Sequence, residues 1–296
     1  MNDVAAAAPT VAAQRAQRRR LISRALANPL SLAGLLIIGL LLLVALVAPW
    51  LAPYDPIQTN VPRRLEAPSG EFLFGTDQLG RDILSRILYG SRISLRIALL
   101  AAVIATLIGA PLGLISGYFR GRVDDLLMRV TDMFMAFPRL ILAMAIAAAL
   151  RPTLENVIIA ISLAAWPAYA RLARSVTLGL REENFVEAAR ALGASPLRIL
   201  TRHVAPGVIS PLVIQVSLDM GGIILTAAGL GFIGFGAQPP TPEWGVMISE
   251  GRTYITGQWW LSTFPGIAIS LVVLGFNLLG DGIRDILDPR LRSVRG

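Results

Sequence analysis

Residues 25–54 carry no charged side chain, and this run constrains the fold more than any other feature. About 20 mostly apolar residues cross a bilayer as a helix. The hydrophobic core of a secretory signal has only about 7–15. The centre of the run, 30–51, therefore reads as a membrane span, not a cleaved leader. Arg15, Arg18, Arg19, Arg20 and Arg24 precede it, which makes it an anchor with the N-terminus inside.

Five further segments qualify or nearly do: 97–119, 126–150, 156–170, 207–232 and 264–280. Segment 126–150 contains Arg129, Asp132 and Arg139, and Pro138 disturbs it. Arg129 and Asp132 are three residues apart, a spacing that lets them pair on one helix face. Segment 156–170 is short, with a kink expected at Pro167, and 207–232 places Asp219 near its centre. Composition agrees: 54% of the chain is hydrophobic and 16% charged, against roughly 45–50% and about 25% in soluble domains. A β-barrel would show short alternating segments instead. The expected fold is all-α and polytopic with six spans. It divides into a tail (1–29), a first span with an outside loop (30–92), a core of five helices (93–290) and a C-terminal tail (291–296).

Six spans put both termini on one side. With the N-terminus inside, the cytoplasmic segments hold 18 arginines and the outside segments 7. That asymmetry supports N-in, C-in. The net charge of +8 follows from arginines placed around spans, so a nucleic-acid partner is not indicated.

Absences narrow the chemistry. The chain has no Cys and a single His, His203, and all 27 basic residues are Arg. Thiolate nucleophiles, Cys-zinc sites, HExxH centres, Schiff bases and a phosphate-binding Walker lysine are therefore excluded. If this system uses ATP, another chain binds it.

Three stretches outside the spans are informative. In the loop 52–92, Ile83, Leu84, Ile87 and Leu88 recur at helical spacing after a Pro-rich start. They predict an amphipathic helix that lies on the membrane or caps the next span. The loop 233–263 carries Glu243-Trp244 and the interfacial pair Trp259-Trp260. Trp244 suits either the interface or contact with a partner or substrate. The segment 182–206 predicts two short helices. The first, Glu182 to Leu192, ends at Gly193; Ser195 caps the second, Pro196 opens it and Pro206 stops it. The unbulky Ala188 and Ala189 let another surface approach. A docking projection and a solvated connector both fit this pattern.

Here the sequence resembles the EAA loop of ATP-binding-cassette importer permeases. Glu187, Ala188, Ala189, Gly193 and Pro206 match that pattern, with His203 and Ala205 departing from its general form. Gly75-Thr76-Asp77 with Gly80-Arg81-Asp82, the stretch from Gln238 to Gly245, and that from Asn277 to Arg290 resemble the dipeptide/oligopeptide/nickel branch. The N-terminal region resembles its C-type subunit. The resemblance implies a type I importer permease fold in a bacterial inner membrane. It also implies a second homologous permease, two ATPase subunits carrying ATP and Mg, an extracytoplasmic solute-binding protein, and a peptide as cargo. Nickel or another small solute is the alternative cargo, and a stand-alone secondary transporter the alternative class. In this reading Glu187, Ala188, Ala189, Gly193 and Pro206 couple to the ATPases, with no catalytic residue and no cofactor on this chain. Asp77, Arg81, Glu243 and Trp244 are candidate contacts for the binding protein. Asp219, with Gln215 one turn earlier, is a candidate pathway residue; the other reading pairs Asp219 within the bundle, with Gln215 for instance, or with the second permease.

Overall fold

A computed structural model describes residues 29–287. The N-terminal arginines and the 291–296 tail lie outside the described residues. Helix α1 is Pro29–Leu51, uncharged throughout and exposed on most of its surface, as a lipid-facing helix must be. A loop with one short turn at Val61–Arg63 leads to α2, Ile83–Phe119. Asp82 caps α2 by accepting from the Ser85 amide at 2.8 Å. The expected surface helix and second span are thus one helix of 37 residues, about 55 Å long. The 92/93 division falls inside it.

The third span differs most from expectation. Gly121–Met135 (α3) and Arg139–Ala149 (α4) meet at 88°. Pro138 lacks the amide needed to continue α3 and disfavours helix at Phe137 before it. With 11 residues, α4 reaches about 16 Å, too short to cross alone. Nor does Arg129 pair with Asp132: Arg171, on the helix after α4, takes Asp132 at 2.6 Å.

Helix α5 is Leu154–Leu180, longer at its far end than 156–170 and including Pro167. It packs chiefly against α2. Ala101, Ala105, Gly109, Gly113 and Gly117 recur every four residues on α2, so the backbones touch. A Cβ at Gly113 would overlap the Ala170 carbonyl oxygen, and one at Gly117 would sit 2.8 Å from that of Arg174.

Next come α6 (Asn184–Ala191), a single turn α7 (Pro196–Ile199), a π turn at Leu200–Val204 and α8 (Ala205–Ile233). Pro206 does not stop a helix; it sits in the first turn of α8, where its missing amide is harmless. Residues 196–233 form one rod. The chain closes with α9 (Trp244–Gly251) and α10 (Trp260–Leu287), the latter packed on α1 and α8. Among the described residues, five helices are long and apolar enough to span a membrane singly, and the count is six if the bent α3–α4 pair is one span. Loops 52–82 and 234–259 share one end of the bundle, the loop face. The α2–α3 turn and α6–α7 share the other, the knob face.

Candidate functional site

At the knob face, α6 and α7 form the expected helix–turn–helix. Gly193 ends α6 at φ +78°, the left-handed region that a Cβ disfavours. There the Ala194 amide donates to the Ala189 carbonyl and the Gly193 amide to the Arg190 carbonyl, both at 3.0 Å. Ser195 caps α7 through the Arg198 amide. Val186, Ala189, Ile199, Leu200 and Val204 are buried against α2 and α5, around Trp166 and Tyr169. Ala189 therefore faces inward. The expected open pair is Ala188 alone, beside exposed Glu187. Leu192 is 88% exposed and Leu197 69%. Two large apolar side chains thus stand in solvent on a charged projection.

Two ion pairs and a hydrogen bond clasp the base of the knob. Arg174 donates to both Asp124 oxygens at 2.6 Å, Arg120 pairs with Glu182 at 3.0 Å, and Arg181 donates to the Tyr118 carbonyl at 2.7 Å. The ends of α2 and α5, the start of α3 and the knob are thereby linked.

Midway along the spans, Asp219 on α8 is held by two other helices. Arg139 Nη1 donates to its Oδ1 at 2.5 Å, and the Tyr169 hydroxyl donates to its Oδ2 at 2.9 Å. Its bundle partner is thus Arg139, 80 residues away, and not Gln215. Gln215 is half-buried one turn earlier on α8.

At the loop face two arginines are each 1% exposed. Arg81 Nε donates to Asp77 at 2.5 Å, and its Nη2 to Glu250 at 3.1 Å. Arg86 Nη2 donates to Glu250 at 2.9 Å, and its Nη1 to the carbonyls of Pro56 and Pro240 at 3.4 Å. Two cations face two carboxylates, so the buried cluster is neutral. Glu243 caps α9, accepting from the Gly245 and Val246 amides at 2.9 Å, and burial pushes its carboxyl pKa up. Trp244, 1% exposed, donates its indole N–H to the Ile87 carbonyl at 3.1 Å. Trp259 is half exposed, whereas Trp260 is buried and reaches the Thr76 carbonyl.

Residues 109–293 match the family described as binding-protein-dependent transport system inner membrane component. The chain belongs to this family. Residues 17–68 match the N-terminal transmembrane domain of oligopeptide transport permease C. The dipeptide transport system permease protein DppC of Alkalihalophilus pseudofirmus is 46% identical, covering 90% of this chain and 88% of its own. The probable D,D-dipeptide transport system permease protein DdpC of Escherichia coli is 46% identical over 89% and 88%. The di/tripeptide permease DppC of Pseudomonas aeruginosa is 45% identical over 90% of each. Among solved structures, the MetNI methionine ABC transporter, in inward-facing conformations, matches with TM-score 0.56 and 17% identity, covering 69% of this chain and 97% of that one. That likeness shows the fold.

As an inner-membrane permease component of this family, the chain is a transport subunit, not an enzyme. It works with ATPase and binding-protein partners, and the ATPases bind the nucleotide. The structure changes how several side chains of this permease are read. Asp77, Arg81, Glu243 and Trp244 are all buried within the loop face. Sequence reasoning missed the exposed Leu192 and Leu197, although an apolar residue directly before a C-terminal glycine is a readable signal. It also missed Glu250 and Arg86, whose partners lie up to 169 residues away.

Proposed function

We infer that this chain is one of two homologous permease subunits of an ATP-driven importer that carries dipeptides or oligopeptides into the cytoplasm, with both termini cytoplasmic. The observation that carries the reading is the α6–α7 knob: a rigid, span-anchored projection with Glu187, Ala188 and Gly193 on its free side and Leu192 and Leu197 at its tip. In this reading the knob fits an ATPase groove, one of two knobs for two ATPases. The clasp around Asp124 and Glu182 carries ATPase closure into α2, α3 and α5. Pro206, at the start of the α8 rod, passes the same motion to Asp219.

Asp219 and Gln215 face the pathway in this reading. Asp219 is already neutralised by Arg139, which argues against a lone proton or ion site and hence against a stand-alone secondary transporter. Nε and Nη2 of Arg139 are buried without a partner. Such donors suit the carboxylate of a passing peptide. At the loop face, Asp77, Arg81, Glu243 and Trp244 hold the docking platform for the binding protein from within, while exposed Leu79 and Ile255 meet it.

The test is uptake of labelled di-, tri- and pentapeptides and of nickel in cells with the chain deleted and restored. Loss of one peptide class, rescued by the parent and not by Glu187→Lys, is the expected result. Loss of nickel uptake alone overturns the cargo. Full rescue by Glu187→Lys overturns the coupling role.

A further inference from the structure

A cleft of about 960 Å³ opens at the loop face between the end of α1, the outer part of α2 and the start of α5. Arg92 and Arg96 line it, one helical turn apart. The other arginines nearby, Arg63, Arg81 and Arg86, are all paired. Among the described residues, neither Arg92 nor Arg96 meets a carboxylate. Asp55 is the one acidic residue lining the cleft, and its Oδ1 is engaged by the Ile57 amide at 2.9 Å. The lining is left with a net positive charge.

The cleft sits at a membrane boundary. From Arg96 toward the knob face, α2 carries no further charge until Arg120. That stretch of 23 residues, 97–119, measures about 34 Å, against about 30 Å of hydrocarbon. Arg96 therefore lies at the edge of the hydrocarbon, and Arg92 about 6 Å further out. Aromatic side chains mark the same level: Tyr54 and Tyr89 line the cleft, and Trp50 at the end of α1 is 81% exposed.

The face of α2 below the arginines stays open. Leu99, Val103 and Leu107 continue from Arg92 and Arg96 at three- and four-residue spacing, and all three are exposed. A phosphate at the arginines thus leads directly to an apolar track in the membrane. This combination fits one occupant chemistry. We propose that Arg92 and Arg96 form a site for an anionic phospholipid, with the phosphodiester held between the two guanidinium groups and an acyl chain along Leu99, Val103 and Leu107. Arg side chains hold phosphate oxygens through paired N–H donors. The site lies in the leaflet on the loop side, pins α1 to α2 through the shared lipid, and is separate from the knob.

The experiment compares the assembled transporter, parent and Arg92→Gln/Arg96→Gln, in nanodiscs of phosphatidylcholine doped with phosphatidylglycerol. Native mass spectrometry reads the phosphatidylglycerol retained. Two surface arginines contribute about fivefold each, so retention falls about thirtyfold in the double variant. It stays at the parent level in Arg64→Gln, an exposed arginine away from the cleft, and returns only in part in Arg92→Lys/Arg96→Lys, which keeps the charge but not the paired donors. If the double variant fails to assemble, each single variant loses about fivefold. Unchanged retention overturns the site. Displacement by inorganic phosphate alone shows a small-anion site and overturns the lipid. Loss of the second permease subunit from an otherwise stable double variant shows a subunit interface and overturns it too.

Discussion

The loop face and the knob face use the same residue types to opposite ends. At the loop face, Arg81, Arg86, Asp77 and Glu250 are turned inward and neutralise one another, and tryptophans are buried beside them. At the knob face, Glu187, Arg190 and Arg198 point to solvent, and Leu192 and Leu197 stand exposed among them. Buried charges that satisfy each other hold a shape. In the proposed reading, an exposed apolar tip on an anchored projection meets another chain. The first region should therefore respond to mutation in stability, and the second in transport.

The largest loss of stability is expected at the buried cluster. Glu250→Ala leaves Arg81 and Arg86 short of a carboxylate, and breaking a buried pair costs about 3–5 kcal/mol. Thermal unfolding in detergent should show a clear drop and less inserted protein. A variant that melts with the parent would remove the structural role of the cluster. Gly113→Val comes next, because its added atoms meet the Ala170 carbonyl across the α2–α5 contact. Overpacking of this kind costs about 1–3 kcal/mol, read by the same melt; an unchanged melting temperature would show that the two helices separate freely.

Gly193→Val probes the other region. No neighbour obstructs a Cβ there, so the strain is the backbone's alone, at φ +78°. A non-glycine residue in that region costs about 1–2 kcal/mol, confined to the knob. Uptake should vanish while the spans melt as in the parent. Normal uptake would show that the turn geometry is dispensable.

The smallest effect lies at the exposed rim of the loop face. Arg63 donates to both Glu71 oxygens at 2.8 Å and holds the Glu71 pKa below the usual carboxylate range. The unfolded carboxyl titrates near about 4.3. The contribution of the pair is therefore present above that pH and lost as pH falls through the lower folded value. The difference in melting between the parent and Glu71→Gln should be slight at neutral pH and disappear in acid. A difference that grows in acid would reverse the sign.

What the sequence disclosed follows the range of each interaction. Helix α1 was legible because 30 uncharged residues in a row, 25–54, admit one reading. Gly193, Ser195 and Pro196 were legible because caps act over three or four residues. The break at Pro138 was only half legible: an apolar window spanning 126–150 averages over a bend of 88°. Asp77 and Arg81 stood at a readable pairing distance, yet their burial depends on Glu250, far along the chain. Asp219 advertised a partner through its cost in a bilayer, but nothing local named Arg139.

Leu192→Ser tests the division between the two faces most directly. The side chain is 88% exposed, so the permease should insert and melt within about 0.5 kcal/mol of the parent. ATPase subunits should be lost on mild purification, together with uptake. A variant that keeps its ATPases and transports at the parent rate would contradict the assignment of the knob as the coupling surface.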